Sequence, residues 1–212
     1  VTAGRDVPAP DLLWDGPGDA EVTVLLAHGA GAGRTHPFLA RFAAGLGALG
    51  LRVARFDFPY MAARAHGERR GPDRAPVLLA SLRAAAAATG AAAGRLALAG
   101  KSMGGRMATM LADELGCRAV IAIGYPFHPP RRPDQQRVEH LRALRTRCLI
   151  LQGERDTFGT RAEVAGYPLS AAITVQWFAD GDHSLVPRVR SGATAAAHFS
   201  TAVAAAAAFA RA

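Results

Sequence analysis

Three observations predict an α/β fold for this chain, with a mostly parallel central sheet and helices on both faces. Short runs rich in Val, Ile and Leu recur along the 212 residues. Longer amphipathic or alanine-rich segments separate them, as crossover helices between parallel strands require. Half of the residues are hydrophobic and 20% are charged, enough apolar material for a buried sheet and too much for disorder or a fibrous repeat. No composition break divides the chain, so residues 1–212 are expected to form one domain.

The elements follow in order. Leu12-Leu13-Trp14, closed by Asp15-Gly16-Pro17-Gly18, reads as an edge strand and its turn, leading into the first central strand. Central strands are expected over Val22 to Ala27, Leu51 to Phe56, Leu96 to Ala99, Ala119 to Ile123, Cys148 to Leu151 and Ile173 to Phe178. Helices are expected over His36 to Ala48, Ala75 to Ala88, Met103 to Leu115, Gln136 to Leu144 and Ser191 to Ala210. Gly90 and Gly94 punctuate the loop after the alanine-rich helix. No internal repeat is present.

Charge and cysteine content narrow the function. The net charge is +8, and Lys101 is the only lysine among 25 basic residues. The arginines are scattered, with Arg69-Arg70 and Arg131-Arg132 the densest spots, and no basic stripe interleaved with aromatics appears. Dedicated nucleic-acid binding is therefore not expected. The two cysteines, Cys117 and Cys148, lie in or beside apolar runs, so neither a disulfide framework nor a metal site is expected, and a cytoplasmic, reducing compartment is. Residues Val1 to Asp6 lack the basic-then-apolar layout of a secretory signal. Thr194 to Ala212 is mostly alanine and carries His198 and Arg211, which suits a closing helix on the core rather than a membrane span.

Chemistry concentrates where a strand runs directly into a helix, at Gly100-Lys101-Ser102-Met103-Gly104. In a nucleophile elbow the serine occupies a strained turn, and small residues two before and two after it keep strand and helix from clashing. Gly-Lys-Ser also resembles the end of a phosphate-binding loop. That motif needs glycine at position 95, which is Arg95, and a flexible loop where residues 96 to 99 read as strand. Gly94 misses by one place.

An elbow serine needs an imidazole to take its proton and a carboxylate to orient the imidazole. Both are expected on later strand ends, in the order serine, acid, histidine. The strand at Cys148 is followed by Gln152-Gly153-Glu154-Arg155-Asp156, and the strand at Ile173 by Asp180-Gly181-Asp182-His183. Asp156 is the expected acid and His183 the expected base, with Glu154 and Asp182 in reserve. For the oxyanion, the amide of Met103 and that of Ala30, in the loop His28-Gly29-Ala30-Gly31-Ala32-Gly33, are the expected donors. That loop departs from dinucleotide-binding spacing.

These motifs, together with Gly124-Tyr125-Pro126-Phe127 and Leu151-Gln152-Gly153-Glu154-Arg155-Asp156-Thr157-Phe158-Gly159, resemble small lidless α/β-hydrolase-like proteins near dienelactone hydrolase. That group is similar to the testis-expressed and chromatin-complex hydrolase-like proteins of animals. The resemblance spans roughly residues 20 to 210. It implies the α/β-hydrolase fold and carries nucleophile, acid and base onto Ser102, Asp156 and His183. Dienelactone hydrolase itself uses a cysteine where this chain has Ser102. Only residues 124–147 separate the strands at Ile123 and Cys148, the interval where larger relatives insert a cap, so no large cap is expected.

The expected function is serine acyl transfer on a small ester or thioester, without metal or cofactor. The competing class is a hydrolase-shaped interaction module. Substrate contacts are expected from His28 and Gly29, from the arginine-rich loop after Asp57, especially Arg69 and Arg70, and from His128 after the Ile123 strand. The guanidinium groups suit an anionic acyl or leaving group. Membrane partners are not expected, and the oligomeric state is left open.

Overall fold

The computed structural model describes residues 9–212. The stretch Val1 to Asp6 lies outside them. Seven strands form one sheet in the order β1-β3-β2-β4-β5-β6-β7: β1 is Leu13–Asp15, β2 Thr23–Ala27, β3 Arg52–Phe56, β4 Leu96–Lys101, β5 Ala119–Ile123, β6 Cys148–Gly153 and β7 Ile173–Phe178. All neighbours are parallel except β1, which runs antiparallel to β3. The edge strand thus pairs with β3 rather than with the strand that follows it in sequence.

Strand periodicity sorts the core into two layers. Leu25, Ala27, Leu98, Val120, Ala122, Cys148 and Ile150 face one side, where α3 (Ala75–Ala88) and α4 (Met103–Leu115) cover them. Val24, Leu26, Ala97, Ala99, Ile121, Ile123, Leu149 and Leu151 face the other, under α1 (Pro37–Ala48) and α6 (Ala195–Arg211). Alanine on α6 is what lets that helix lie close: Ala202, Ala206, Ala207 and Ala210 are buried. Phe199 meets Phe38 and Phe42 edge-on at 5.8 and 6.0 Å.

Most expected elements appear within a few residues. Two differences matter. Residues 136–144 form only a 3-10 turn, Glu139–Arg142, not an α-helix. The buried residues there, Val138, Leu141 and Leu144, recur every third position, the period of a 3-10 turn. Conversely, the stretch after Asp57, expected as loop, begins with α2 (Pro59–Ala65). Pro59 at its first turn is pre-set for helix. A short helix, α5 (Arg161–Val164), follows the Asp156 loop and is closed by a capping box between Thr160 and Glu163. No helix among the described residues is long and apolar enough to cross a membrane.

Candidate active site

Strand order reverses at β2, whose neighbours are β3 and β4, and loops at the carboxyl ends of such strands open a crevice. Ala27 of β2 pairs with Gly100 of β4, so the loop beginning at His28 lies beside the elbow at Ser102. At the other end of the sheet Gly153 of β6 pairs with Phe178 of β7, which brings the Asp156 and His183 loops side by side.

Ser102 caps α4 with φ 51° and ψ −115°, a conformation that costs a non-glycine residue roughly 1–3 kcal/mol. It is held there by a hydrogen bond from Ser102 N to Ile123 O at 2.9 Å, and the Ser102 carbonyl accepts the first helical bond, from Arg106 N at 3.0 Å. The glycines permit this geometry. A Cβ at Gly100 would lie 2.3 Å from the Gly104 carbonyl carbon, and one at Gly104 would lie 2.6 Å from the carbonyl oxygens of both Ala27 and His28.

Three distant side chains meet at this turn. Nδ1 of His183 lies 2.8 Å from Asp156 Oδ2, and Nε2 lies 3.0 Å from Ser102 Oγ. Asp156 is fully buried. An ionised carboxylate only accepts, so Nδ1 carries the proton and Nε2 is left to accept from the Ser102 hydroxyl. The other Asp156 oxygen accepts from Phe158 N at 2.9 Å. The Phe158 ring lies against the imidazole with centroids 4.3 Å apart.

The reserve acids are engaged elsewhere. Glu154 accepts from Arg161 at 2.7 Å, and Asp182 accepts the amides of Ser184 and Val186 in its own turn.

Two supports around these three side chains were not assigned from sequence. Gln152, fully buried, donates its amide to Asp156 Oδ2 at 2.8 Å and accepts from Tyr125 N at 2.7 Å. Lys101 donates its ammonium to the His183 carbonyl at 2.7 Å. Burial lowers the Lys101 pKa to about 8, although Asp156 and Asp182 favour its charge. Both residues lie in quoted motifs, but their side-chain directions depend on strand pairing.

The loop after β2 is anchored from beneath. The Tyr60 hydroxyl, on α2, donates to the carbonyls of Gly29 and Ala30 at 3.2 and 3.0 Å. Arg34 N donates to Asp57 Oδ1 at 2.7 Å. A cleft of about 290 Å³ opens beside Ser102, walled by Ala30, Met103, Leu78, Met107, Pro126 and Phe158, with Arg106, Arg137 and Asp73 on its polar side. The amide of Met103 belongs to the first helical turn, whose N–H groups have no intrahelical acceptor.

The expected substrate contacts are mostly elsewhere. His28 is buried and its imidazole is taken up by main chain: Phe58 N donates to Nε2 at 2.9 Å, so Nδ1 donates to Gly29 O at 2.7 Å. Burial lowers its pKa. Gly29 does lie against the elbow, where an added Cβ would be 3.7 Å from that of Ser102. Arg69 and Arg70 line a separate depression with Arg64, Glu68 and Gly71, and Arg70 faces Glu68 and Asp73. His128 is buried, with Nε2 3.5 Å from Glu163. None of these groups lines the cleft beside Ser102; Arg69 and Arg70 follow α2 and are exposed.

No group of three His, Cys, Asp or Glu side chains able to hold a metal occurs among the described residues. Cys117 and Cys148 are free and buried, and burial pushes the Cys117 thiol up to about 11.

The family described as alpha/beta hydrolase domain matches residues 20–211. The chain belongs to that family. No curated protein matches it. Among solved structures, dienelactone hydrolase from Anabaena variabilis is similar with a TM-score of 0.66 and 19% identity, covering 95% of this chain and 97% of that one. The esterase domain of a Rhodothermus marinus protein is similar with a TM-score of 0.67 and 18% identity, covering 94% and 91%. A serine hydrolase without a lid from Xanthomonas campestris gives 0.63 and 23%, covering 85% and 84%. At these identities the likeness is one of fold: the alpha/beta hydrolase sheet, here with no cap domain between β5 and β6.

Proposed function

We propose that this alpha/beta hydrolase cleaves a small ester or thioester by way of an acyl-enzyme on Ser102. The observation that carries the reading is the chain Ser102 Oγ, His183 Nε2, His183 Nδ1, Asp156 Oδ2, with contacts of 3.0 and 2.8 Å. His183 accepts the Ser102 proton as Oγ attacks the carbonyl carbon, and Asp156 stabilises the imidazolium that results. The amides of Met103 and Ala30 hold the oxyanion, an effect worth about 3 kcal/mol per donor. The carbon–oxygen or carbon–sulfur bond then breaks, with His183 returning the proton to the leaving group. Water, activated by the same imidazole, releases the acid. The cleft volume of about 290 Å³ favours a small substrate. Neither metal nor cofactor enters this mechanism.

Buried free thiols fit a reducing, cytoplasmic setting. A kinship with the testis-expressed and chromatin-complex proteins is proposed on the elbow and Asp156 motifs alone.

A fluorophosphonate probe tests the reading. Labelling of the folded protein that disappears in Ser102→Ala, with p-nitrophenyl ester turnover falling at least about 10⁴-fold in Ser102→Ala or His183→Ala, is the expected result. Folded protein that neither labels nor turns over any ester of a chain-length series sinks the proposal in favour of an interaction module.

A further inference from the structure

We infer that Arg106 and Arg137 form an anion seat in the cleft beside Ser102, and that the substrate carries a carboxylate which docks there. The inference rests on the serine-hydrolase reading and names its substrate class.

Arg106 and Arg137 line the same cleft as Ser102. Arg106 stands one helical turn beyond the nucleophile, its amide bonded to the Ser102 carbonyl at 3.0 Å. Arg137 comes from the segment between β5 and β6, and its backbone is fixed at both ends: its amide donates to Phe127 O at 2.7 Å, and its carbonyl accepts from the Tyr125 hydroxyl at 2.8 Å. Two cations on rigid supports therefore face one small space.

Several arginines of this chain are matched with acids, while others, Arg69 and Arg131 among them, are exposed to solvent without an ion pair among the described residues. Arg55 meets Asp15, Arg155 and Arg188 meet Asp180, and Arg161 meets Glu154. Arg106 and Arg137 make no ion pair among the described residues, and Arg106 Nε is buried with no hydrogen-bond acceptor. An orphaned buried donor on a charged group is costly. Burial first, and then the Arg106 charge, lowers Arg137 and pushes His140 down to about 4. The one carboxylate on the cleft wall, Asp73, is already engaged, with one oxygen accepting from Tyr60 N at 2.9 Å and the other 3.3 Å from Arg70.

An arriving carboxylate supplies what is missing: two oxygens with four lone pairs for a pair of planar donor forks. A neutral acyl chain of the same length leaves both guanidinium charges without a counter-ion. The difference belongs to substrate binding and orientation, because the carboxylate sits away from the reacting carbon.

The test compares the p-nitrophenyl monoester of adipic acid with the p-nitrophenyl ester of adipamic acid, which exchanges the carboxylate for a carboxamide of nearly equal size. The expected kcat/KM ratio favours the carboxylate by tenfold or more and shrinks as salt is raised. In Arg106→Gln and Arg137→Gln it falls towards one. Arg106→Lys and Arg137→Lys keep the charge and guard against misfolding, and a ratio measured within one preparation is insensitive to the folded fraction. A ratio near one in the parent protein, or one that survives both glutamine variants, overturns the inference while leaving Ser102 labelling and the hydrolase reading intact. Should neither ester turn over, calorimetric binding of the two esters to Ser102→Ala decides separately. Tenfold tighter carboxylate binding that needs Arg106 keeps the anion seat, with Ser102 labelling left to judge the hydrolase reading, whereas equal binding overturns the seat.

Discussion

The side-chain amide of Gln152 lies 2.8 Å from Oδ2 of Asp156, the same oxygen that faces the His183 imidazole. Gln152 is the last-but-one residue of β6 and is fully buried. Its own carbonyl oxygen accepts from Tyr125 N at 2.7 Å, so one side chain ties the acid loop to the loop after β5.

Gln152→Leu removes a donor from a buried carboxylate and an acceptor from a buried amide. Each unsatisfied group costs about 1–3 kcal/mol, so a loss of roughly 2–6 kcal/mol in urea unfolding is expected. kcat falls more than KM rises, since the group acts through Asp156 on His183. Turnover and stability matching the parent protein would show that Asp156 needs no such support.

Lys101 gives a pH signature in stability. Its pKa is about 8 in the folded protein against an ordinary 10.5. Between those values the unfolded chain binds more protons, so this group's contribution makes stability rise with pH from about 8 to 10.5. Below 8 the fold carries the full cost of the buried ammonium. The unfolding free energy of the parent protein minus that of Lys101→Met should therefore increase across that window, and a flat difference rejects the shift.

Tyr60→Phe removes the hydroxyl that holds the Gly29 and Ala30 carbonyls. The loop carrying the proposed oxyanion donor then loosens. A fall of about threefold to thirtyfold in kcat with little change in KM is expected, consistent with weakening a donor worth about 3 kcal/mol in full. An equal fall at saturating and limiting substrate tells this from simple loss of binding.

Gly104→Ala places a methyl 2.6 Å from the carbonyl oxygens of Ala27 and His28. Backbone cannot yield as a flexible side chain can, so the helix must move off β2 and carry Ser102 with it. A melting temperature lower by several degrees and loss of probe labelling are expected. Gly31→Ala is the control: no atom lies within 4 Å of its added Cβ, so stability should stay within about 0.5 kcal/mol.

Much of this was legible in the chain itself. Strands β5 and β7 and helices α3 and α4 begin and end where apolar pattern and glycine placement put them. The elbow, acid and histidine were readable because each lies just past an apolar run, and a parallel sheet gathers all such strand ends on one edge. The substrate contacts were less readable. Arg69 and Arg70 sit on a segment whose direction is set by α2, and Arg106 looks in sequence like an ordinary helical arginine. Only its buried Nε without an acceptor, a fact about neighbours from other elements, singles it out.

Sequence alone determined the architecture and the identity of three chemically distinct side chains at strand ends, since periodicity and turn chemistry act over a few residues and survive without knowledge of the rest. Tertiary structure alone decided which groups support that triad and which cations are left unmatched. Hydrogen bonds such as Gln152 to Asp156, and the absence of an ion pair at Arg106, depend on contacts between segments brought together by sheet order. A linear pattern carries no record of those distances.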